Sequence, residues 1–359
     1  MGLELRIKMR ILIKLLLLAA TLLFLVNQKA KAQDEFDALL ESGAEDAEKY
    51  LGKYIEPVFK GVGIGLTNGW YNTAKPHKLF GFDITVTGNL AMVPDKDLVF
   101  RFANSDFERI RLESGATSAD LPTVLGPKTT ENIELVVVDE NELPTGTTLS
   151  IEALSGLDLE EEVGHNFVPV PMAHLGVGLP KNTELKLRWA PTVNADDFEG
   201  TIFGFGIMHD IKQWIPSLED SQFNLSGFVG YTKINASYDL TNSDFNKGTN
   251  DQVSEYRVRA LTIQGLISKD LIAKKLFEFT VYGAVGFNDT SSELEMLGTY
   301  ELDESVDTLV DPIGLSFSSA GLRGTAGLRM KLLAFLTIHT DYTLQEYNTL
   351  TAGVGINIR

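Results

Sequence analysis

The sequence predicts an all-β protein: a transmembrane antiparallel β-barrel of about 12–14 strands preceded by a short helical segment. Three observations carry this expectation. The chain opens with an export signal, most of the chain beyond residue 58 alternates with a period of two, and no segment after Ala32 is a run of roughly 18 apolar residues that could cross a bilayer as a helix. In hydrocarbon every backbone polar group must be paired internally, and a closed barrel is the only sheet that achieves this.

Residues 1–32 read as a cleaved signal peptide. Arg6, Lys8, Arg10 and Lys14 precede the apolar run Leu15 to Val26, and Ala30-Lys31-Ala32 forms a small-residue cleavage site. The leader holds six of the 31 basic and one of the 49 acidic side chains, so the rest of the chain carries 25 and 48, a net charge of −23. No basic stripe exists to hold phosphates, so nucleic acid is not expected as a partner. With no cysteine, a disulfide framework, a thiolate metal site and a cysteine-linked lipid are excluded.

Residues 34–56 are helical by spacing, with Phe36, Leu40, Ala47, Leu51 and Tyr54 near a 3.6-residue period. Ser42 and Glu45 suggest a capping box and Pro57 a stop, which makes 33–57 a plug or cap. The barrel then occupies 58–359. Its best strands are the last three. Ala320, Leu322, Gly324, Ala326, Leu328 and Met330 alternate with Gly321, Arg323, Thr325, Gly327, Arg329 and Lys331. Leu336, Ile338, Tyr342 and Leu344 alternate with Thr337, His339, Asp341 and Thr343, and Leu350 to Ile358 repeats the pattern. The same period appears over 80–92, 184–189 and 277–285, and further strands are expected near 62–70, 97–103, 166–179, 200–209, 222–238, 256–268 and 294–302. Residues 104–164 are acidic, Thr-rich and poorly periodic, which predicts a long loop or small excursion on the extracellular side. Met208 to Ile215 suggests a helical turn at a rim.

The faces opposite the apolar stripes point into the lumen of such a barrel. They collect Asp83, Lys186, Arg188, Glu278, Arg323, Arg329, Lys331, His339 and Asp341, either as a substrate path or as ion pairs that fill a plugged interior. His339 and Asp341, with Ser316, Ser318 and Ser319 one strand away, make a membrane acyl hydrolase conceivable, but no Gly-x-Ser-x-Gly elbow accompanies them and no catalytic residue is assigned. The histidines at 77, 165, 174, 209 and 339 lack paired metal-ligand spacing, so neither a metal nor another cofactor is expected. The Gly61-Val62-Gly63-Ile64-Gly65 cluster lacks the ending of a phosphate loop and suits a bend in a curved sheet. Trp70, Tyr71, Trp189, Tyr231, Phe287 and Tyr347 fall near strand ends, as interfacial girdles do.

Four stretches carry a resemblance: Gly69-Trp70-Tyr71-Asn72-Thr73-Ala74-Lys75-Pro76, Phe167-Val168-Pro169-Val170-Pro171-Met172, Gly176-Val177-Gly178-Leu179-Pro180 and His209-Asp210-Ile211-Lys212-Gln213-Trp214-Ile215-Pro216. Together they resemble a family of exported bacterial proteins classified only as a domain of unknown function, over about residue 35 to the end. The resemblance implies an outer-membrane-type barrel and transfers no functional residues. A helical segment feeding a barrel is also similar, in architecture alone, to the long-chain fatty-acid transporters.

The leading functional expectation is an outer-membrane β-barrel, delivered by the barrel assembly machinery and embedded in outer-membrane lipid, that passes or docks a small molecule, hydrophobic ones included. The alternative is a soluble periplasmic or surface β-rich binding or structural module whose apolar faces meet in a core. The acyl hydrolase is a remote third.

Overall fold

The computed structural model describes residue 39 and residues 43–358, apart from 139–143, 196–197, 219, 241–251, 275 and 301–308. The signal peptide, Ser42 and most of 33–43 lie outside the described residues. In chain order, helix α1 (Ala44–Leu66) precedes strand β1 (Phe82–Met92) and the short strands β2 (Val99–Ala103), β3 (Ile110–Leu112), β4 (Ser118–Pro122), β5 (Asn132–Val138) and β6 (Pro144–Glu152). A five-residue helix α2 (Leu159–Val163) leads into β7 (Phe167–Leu179), β8 (Thr183–Ala195), β9 (Phe198–Asp210), β10 (Asn224–Asp239), β11 (Val253–Lys274) and β12 (Phe277–Leu297). The two-residue pair β13 (Thr299–Tyr300) and β14 (Leu309–Val310) is followed by β15 (Ile313–Leu332), β16 (Leu336–Leu344) and β17 (Thr349–Ile358).

Ten strands close into an antiparallel barrel in the order β1-β17-β16-β15-β12-β11-β10-β9-β8-β7, and β7 pairs back onto β1. The first and last strands meet at the seam, with Phe82 opposite Ile358 and Leu90 opposite Leu350. Closure removes both sheet edges where the ring is complete, while β15 from Ile313 to Arg323 extends beyond its register with β16.

The period of two sorts the side chains. On β1, Ile84 and Val86 are exposed while Asp83, Thr85, Thr87 and Asn89 are buried; on β17, Val354, Ile356 and Ile358 are exposed and Thr349, Thr351 and Asn357 buried. Among the described residues the apolar faces therefore find no partner, contrary to the soluble alternative. They point outward, and the polar faces point in. Among the described residues no helix is long and apolar enough to cross a membrane. On β12 the outward apolar positions run from Phe279 to Phe287. At about 3.3 Å per residue and a tilt of about 40° they span a band roughly 20–25 Å tall, which matches a bilayer's hydrocarbon.

The barrel has ten strands, fewer than the sequence pattern suggests. Three of the expected segments lie elsewhere. Residues 62–66 finish α1, 97–103 is largely β2, which pairs with β4 outside the wall, and 294–302 is the end of β12 followed by the small β13–β14 pair. The region 104–164 is a folded excursion, in which β3, β5 and β6 form a second small sheet. Its apolar side chains, Phe107, Ile110, Leu121 and Leu135 among them, join Phe102 of β2 around Tyr50 of α1 and reach Leu315 and Phe317 of β15. Asp46 accepts the backbone N–H groups of Glu108 (3.1 Å) and Arg109 (2.6 Å), Tyr50 Oη accepts the Leu154 N–H and Tyr54 Oη donates to the Ser155 carbonyl, so the excursion is fastened to the helix. Single 3-10 turns at Lys212–Trp214 and Pro216–Leu218 line the opposite rim.

Helix α1 runs through Pro57 and ends nine residues later, at Leu66. Its N-cap is Gly43, without a side-chain cap. Proline removes one helical hydrogen bond and each glycine costs about 1 kcal/mol relative to alanine, so Gly61, Gly63 and Gly65 look like poor helix from sequence. The lumen requires them. A Cβ on Gly61 would lie 2.5 Å from Val168 Cγ2, one on Gly65 would overlap Val170, and one on Gly63 would lie 3.1 Å from Thr290 Cβ. Val168 and Val170 belong to β7 and Thr290 to β12, which stand opposite each other in the ring. The helix touches both walls, and only backbone fits between them.

Gly65→Ala is therefore expected to destabilise the barrel by about 1–3 kcal/mol despite its better helix propensity. Gly88→Ala, where nothing lies within 4 Å of the new Cβ, is expected to change little. Urea unfolding in detergent, followed by the heat-dependent shift in gel migration, measures both.

Candidate functional site

The lumen is the candidate site, and the second half of α1 with residues 67–77 occupies it. Every charged lumen candidate has a described position. Asp83, Lys186, Arg188, Arg323, Arg329, Lys331, His339 and Asp341 are buried, and Glu278 is partly exposed. They form separate groups.

Arg188 and Arg323 meet at the end of α1. The last carbonyls of a helix lack intrahelical partners, and here the end lies inside the barrel. Arg188 Nη1 donates to the Leu66 carbonyl at 2.6 Å and Nη2 to that of Asn68. Arg323 Nη1 donates to the Thr67 carbonyl at 3.0 Å and to Thr67 Oγ1 at 2.8 Å, and Nη2 to Asn68 Oδ1. Arg188 sits on β8 and Arg323 on β15, again opposite each other in the ring. The two cations complement the negative end of the helix dipole. The guanidinium of Arg188 also stacks on Trp70, 3.6 Å from the ring centroid, a cation–π contact strengthened by desolvation.

From there the chain continues along the wall. Trp70 and Tyr71 are buried in the lumen beside Phe228 and Tyr282, so they are not girdle residues; Tyr347, in the β16–β17 turn, is buried too. Trp189 and Phe287 do face outward. Tyr71 Oη donates to Gln264, Ser268 Oγ bonds the Ala74 N–H and Thr73 Oγ1, and Ser226 Oγ donates to the Ala74 carbonyl. Outside the wall strands, burial and the nearby Asp97 carboxylate push the Tyr347 phenol well above its ordinary range.

The second group closes the far end. Asp83 and Lys186 join His77, His174 and Glu184, all buried. Lys186 Nζ lies 2.5 Å from Glu184 Oε1 and 3.7 Å from Asp83 Oδ1, and His174 Nε2 is 3.5 Å from Asp83 Oδ2. Lys331 Nζ donates to Asn357 Oδ1 at 3.2 Å, so the Asn357 amide donates to His77 Nε2 at 2.9 Å. His77 then carries its proton on Nδ1, which faces Glu184 Oε2 at 2.8 Å; the His77 backbone N–H reaches the same oxygen at 2.9 Å.

Potential ligand atoms of His77, Asp83 and Glu184 lie within 4.8 Å of one another, so metal binding needs testing. The hydrogen-bond direction puts a proton on the nitrogen a metal would need, and Lys186 already supplies the neutralising cation. The cluster does not fit a divalent ion without displacing Lys186. It works as an ionic lock that joins segment 67–80 to β1, β7, β8 and β17.

The remaining candidates stay apart. Arg329 Nη1 is 3.7 Å from Glu278 Oε2, and Asp341 accepts from Tyr282 Oη at 2.8 Å. The hydrolase constellation is not assembled. His339 pairs with Arg329, ten positions along β15 from Ser319, which is about 33 Å of strand. Ser316 and Ser318 face outward, and Ser319 donates to Glu346. Sequence reasoning missed His77, His174, Glu184, Asn68 and Asn357 as site residues. His77 lies in an aperiodic stretch 107 residues from Glu184, whereas Glu184 shares the alternating face that exposed Lys186 and Arg188.

Ten antiparallel strands with an apolar exterior and a polar, occupied interior define a plugged barrel of the membrane-spanning kind. The chain belongs to the family of unknown function DUF6588, whose model matches residues 9–358. No curated protein matches it. Among solved structures it is similar to Ail, the attachment invasion locus protein of Yersinia pestis, at 9% identity and a TM-score of 0.25 over 78% of this chain and 99% of that one. The translocator domain of the autotransporter NalP from Neisseria meningitidis matches at 11% identity and a TM-score of 0.27, over 78% and 88%. The outer membrane protease OmpT from Escherichia coli gives 9% and 0.24, over 81% and 100%. Similarities at this level carry no argument, and the fold rests on the strand pairing itself.

Lys186→Met removes the cation between two buried carboxylates and is expected to lower stability by about 3–5 kcal/mol. Chelator or added zinc should leave wild-type unfolding unchanged. Urea titrations with and without each reagent check both outcomes.

Proposed function

We propose that this protein is an outer-membrane β-barrel held closed by its own N-terminal segment, and that a small molecule passes only when residues 67–80 give way. The observation that carries the reading is the pair of arginines from opposite walls gripping the end of α1. An open pore would leave such residues facing water. Here their Nη donors are spent on the Leu66, Thr67 and Asn68 carbonyls and on the Thr67 and Asn68 side chains, and releasing the segment would break these bonds together. Hydrogen bonds to charged groups contribute about 1.5–3 kcal/mol each, so several of them make the closed state the resting one. The apolar exterior supports residence in lipid, and the signal at the start of the sequence supports export to the outer membrane.

A groove on the helix supports the second reading, docking without passage. It measures about 820 Å³ and lies between the charged face of α1 and residues 314–318 of β15, lined by Glu45, Lys49, Lys53, Lys60 and Phe317. Its ion pairs, Lys49 with Glu45 and Lys60 with Glu56, suit a ligand that carries both charges.

Planar-bilayer recording tests the closed state. Wild-type protein is expected to be almost silent, and Arg188→Ala combined with Arg323→Ala to raise conductance at least tenfold while the heat-dependent gel shift persists. A steady open-pore current from wild type, or a folded double variant as silent as wild type, would contradict the proposal.

A further inference from the structure

We infer that the chain threads its own barrel from one mouth to the other, so that the start of α1 lies at the cell-surface mouth while the end of β17 faces the periplasm. The inference rests on the outer-membrane reading for the identity of the two sides, and on contacts alone for the threading.

The contacts form an ordered descent. At the top, Gly52 of α1 packs on Leu315 of β15, near the end of that strand joined to the β13–β14 pair. Ser292 Oγ of β12 then donates to the Phe59 carbonyl, and Gly63 meets Thr290, one inward-facing position further down. Gly61 and Gly65 meet Val168 and then Val170 as β7 descends. Arg323, eight residues below Leu315, holds Thr67. On β11 the partners are Gln264 for Tyr71, Ser268 for Thr73 and Asp270 for Lys75. Last, His77 meets Asn357, next to the final residue of β17. Each step moves the same way along every strand, toward the mouth where Phe82 begins β1 and Ile358 ends β17. The start of α1 and the end of β17 therefore lie at opposite mouths.

The mouths differ in chemistry. At the C-terminal mouth the connections are mostly tight, as at Lys181–Asn182 and Leu333–Ala334, whose positive φ angles mark turns. At the helix mouth β1 and β7 are joined by the folded excursion. The walls also continue past the apolar band there. Outward positions on β12 change from Val285 and Phe287 to Asp289, Ser291, Glu293 and Glu295, and on β15 from Leu322 to Ser318 and Ser316. Arg257 of β11 bridges Glu255, Glu293 and Glu295 on this polar collar. Barrels of the bacterial outer membrane keep short turns in the periplasm and longer loops outside, so the collar, the excursion and the start of α1 face the exterior.

The cysteine-free sequence allows a direct test with single-cysteine full chains, a maleimide linked to a polymer too large to enter the periplasm, and intact cells. Glu45→Cys and Val310→Cys, at exposed sites by the helix mouth, are expected to label. Leu276→Cys, exposed in the β11–β12 turn, is expected to label only after the outer membrane is permeabilised. Labelling of Leu276→Cys with protection of Glu45→Cys and Val310→Cys would overturn the cell-surface placement of α1 by reversing the barrel. Labelling of Val310→Cys with Glu45→Cys protected until permeabilisation would overturn the threading. Equal labelling of all three in a soluble fraction would instead overturn the outer-membrane reading, and that placement with it.

Discussion

The end of α1 is buried inside a barrel, at Leu66, Thr67 and Asn68, where its last carbonyls need donors from the protein. That constraint organises the interior. Four backbone C=O groups at a helix terminus need donors, and an unmet buried acceptor costs about 1–3 kcal/mol. Thr67 and Asn68 meet the Ile64 and Gly65 carbonyls locally, while Arg188 takes the Leu66 carbonyl and Arg323 that of Thr67, from opposite walls. The arginines' own charges, costly to bury, are compensated by the helix dipole and by the face of Trp70. Helix and arginines are thus stable only together, which couples the plug to strands five places apart in the ring.

Width is the second constraint. A ten-strand barrel leaves little more than room for its own inward side chains, whereas a helix with ordinary side chains is about 10–12 Å across. Glycine at 61, 63 and 65 removes the side chains where β7 and β12 approach, and small or hydroxyl residues such as Thr290 and Ser292 line that depth. Above it α1 carries larger groups, Phe59 against Tyr256 and Phe317 of the walls and Tyr50 against Phe102 and Phe107. Size along the helix follows the shape of the lumen.

These two constraints also explain what the sequence could and could not disclose. Alternation at Ile84 and Val86 against Asp83 and Thr85, or at Leu322 against Arg323, records the difference between lipid and lumen, and it placed the wall strands. The helix was harder to bound. Pro57 and three glycines oppose helix locally, and only the facing wall gives them a purpose. Trp70 and Tyr71 carry the amphipathic chemistry of a membrane interface, yet they serve a polar lumen equally well; their partners, Arg188, Phe228 and Gln264, are distant in sequence. The ionic lock was half visible. Its wall members follow the alternation, but His77 sits in a stretch without periodicity, and nothing local marks its meeting with Glu184 and Asn357.

The closed state, the arginine grip and the threading all require that α1 occupy the lumen, and a disulfide reports on that occupancy most directly. A Cβ at Gly63 would stand 3.1 Å from Thr290 Cβ, close to the separation of about 3.5–4.5 Å found in disulfides. In a chain carrying both Gly63→Cys and Thr290→Cys and no other cysteine, mild oxidation of the folded protein should consume both thiols in an intramolecular bond that alters gel migration until reduced. Two thiols that remain free after oxidation of a correctly folded barrel would mean that the helix does not reside between β7 and β12.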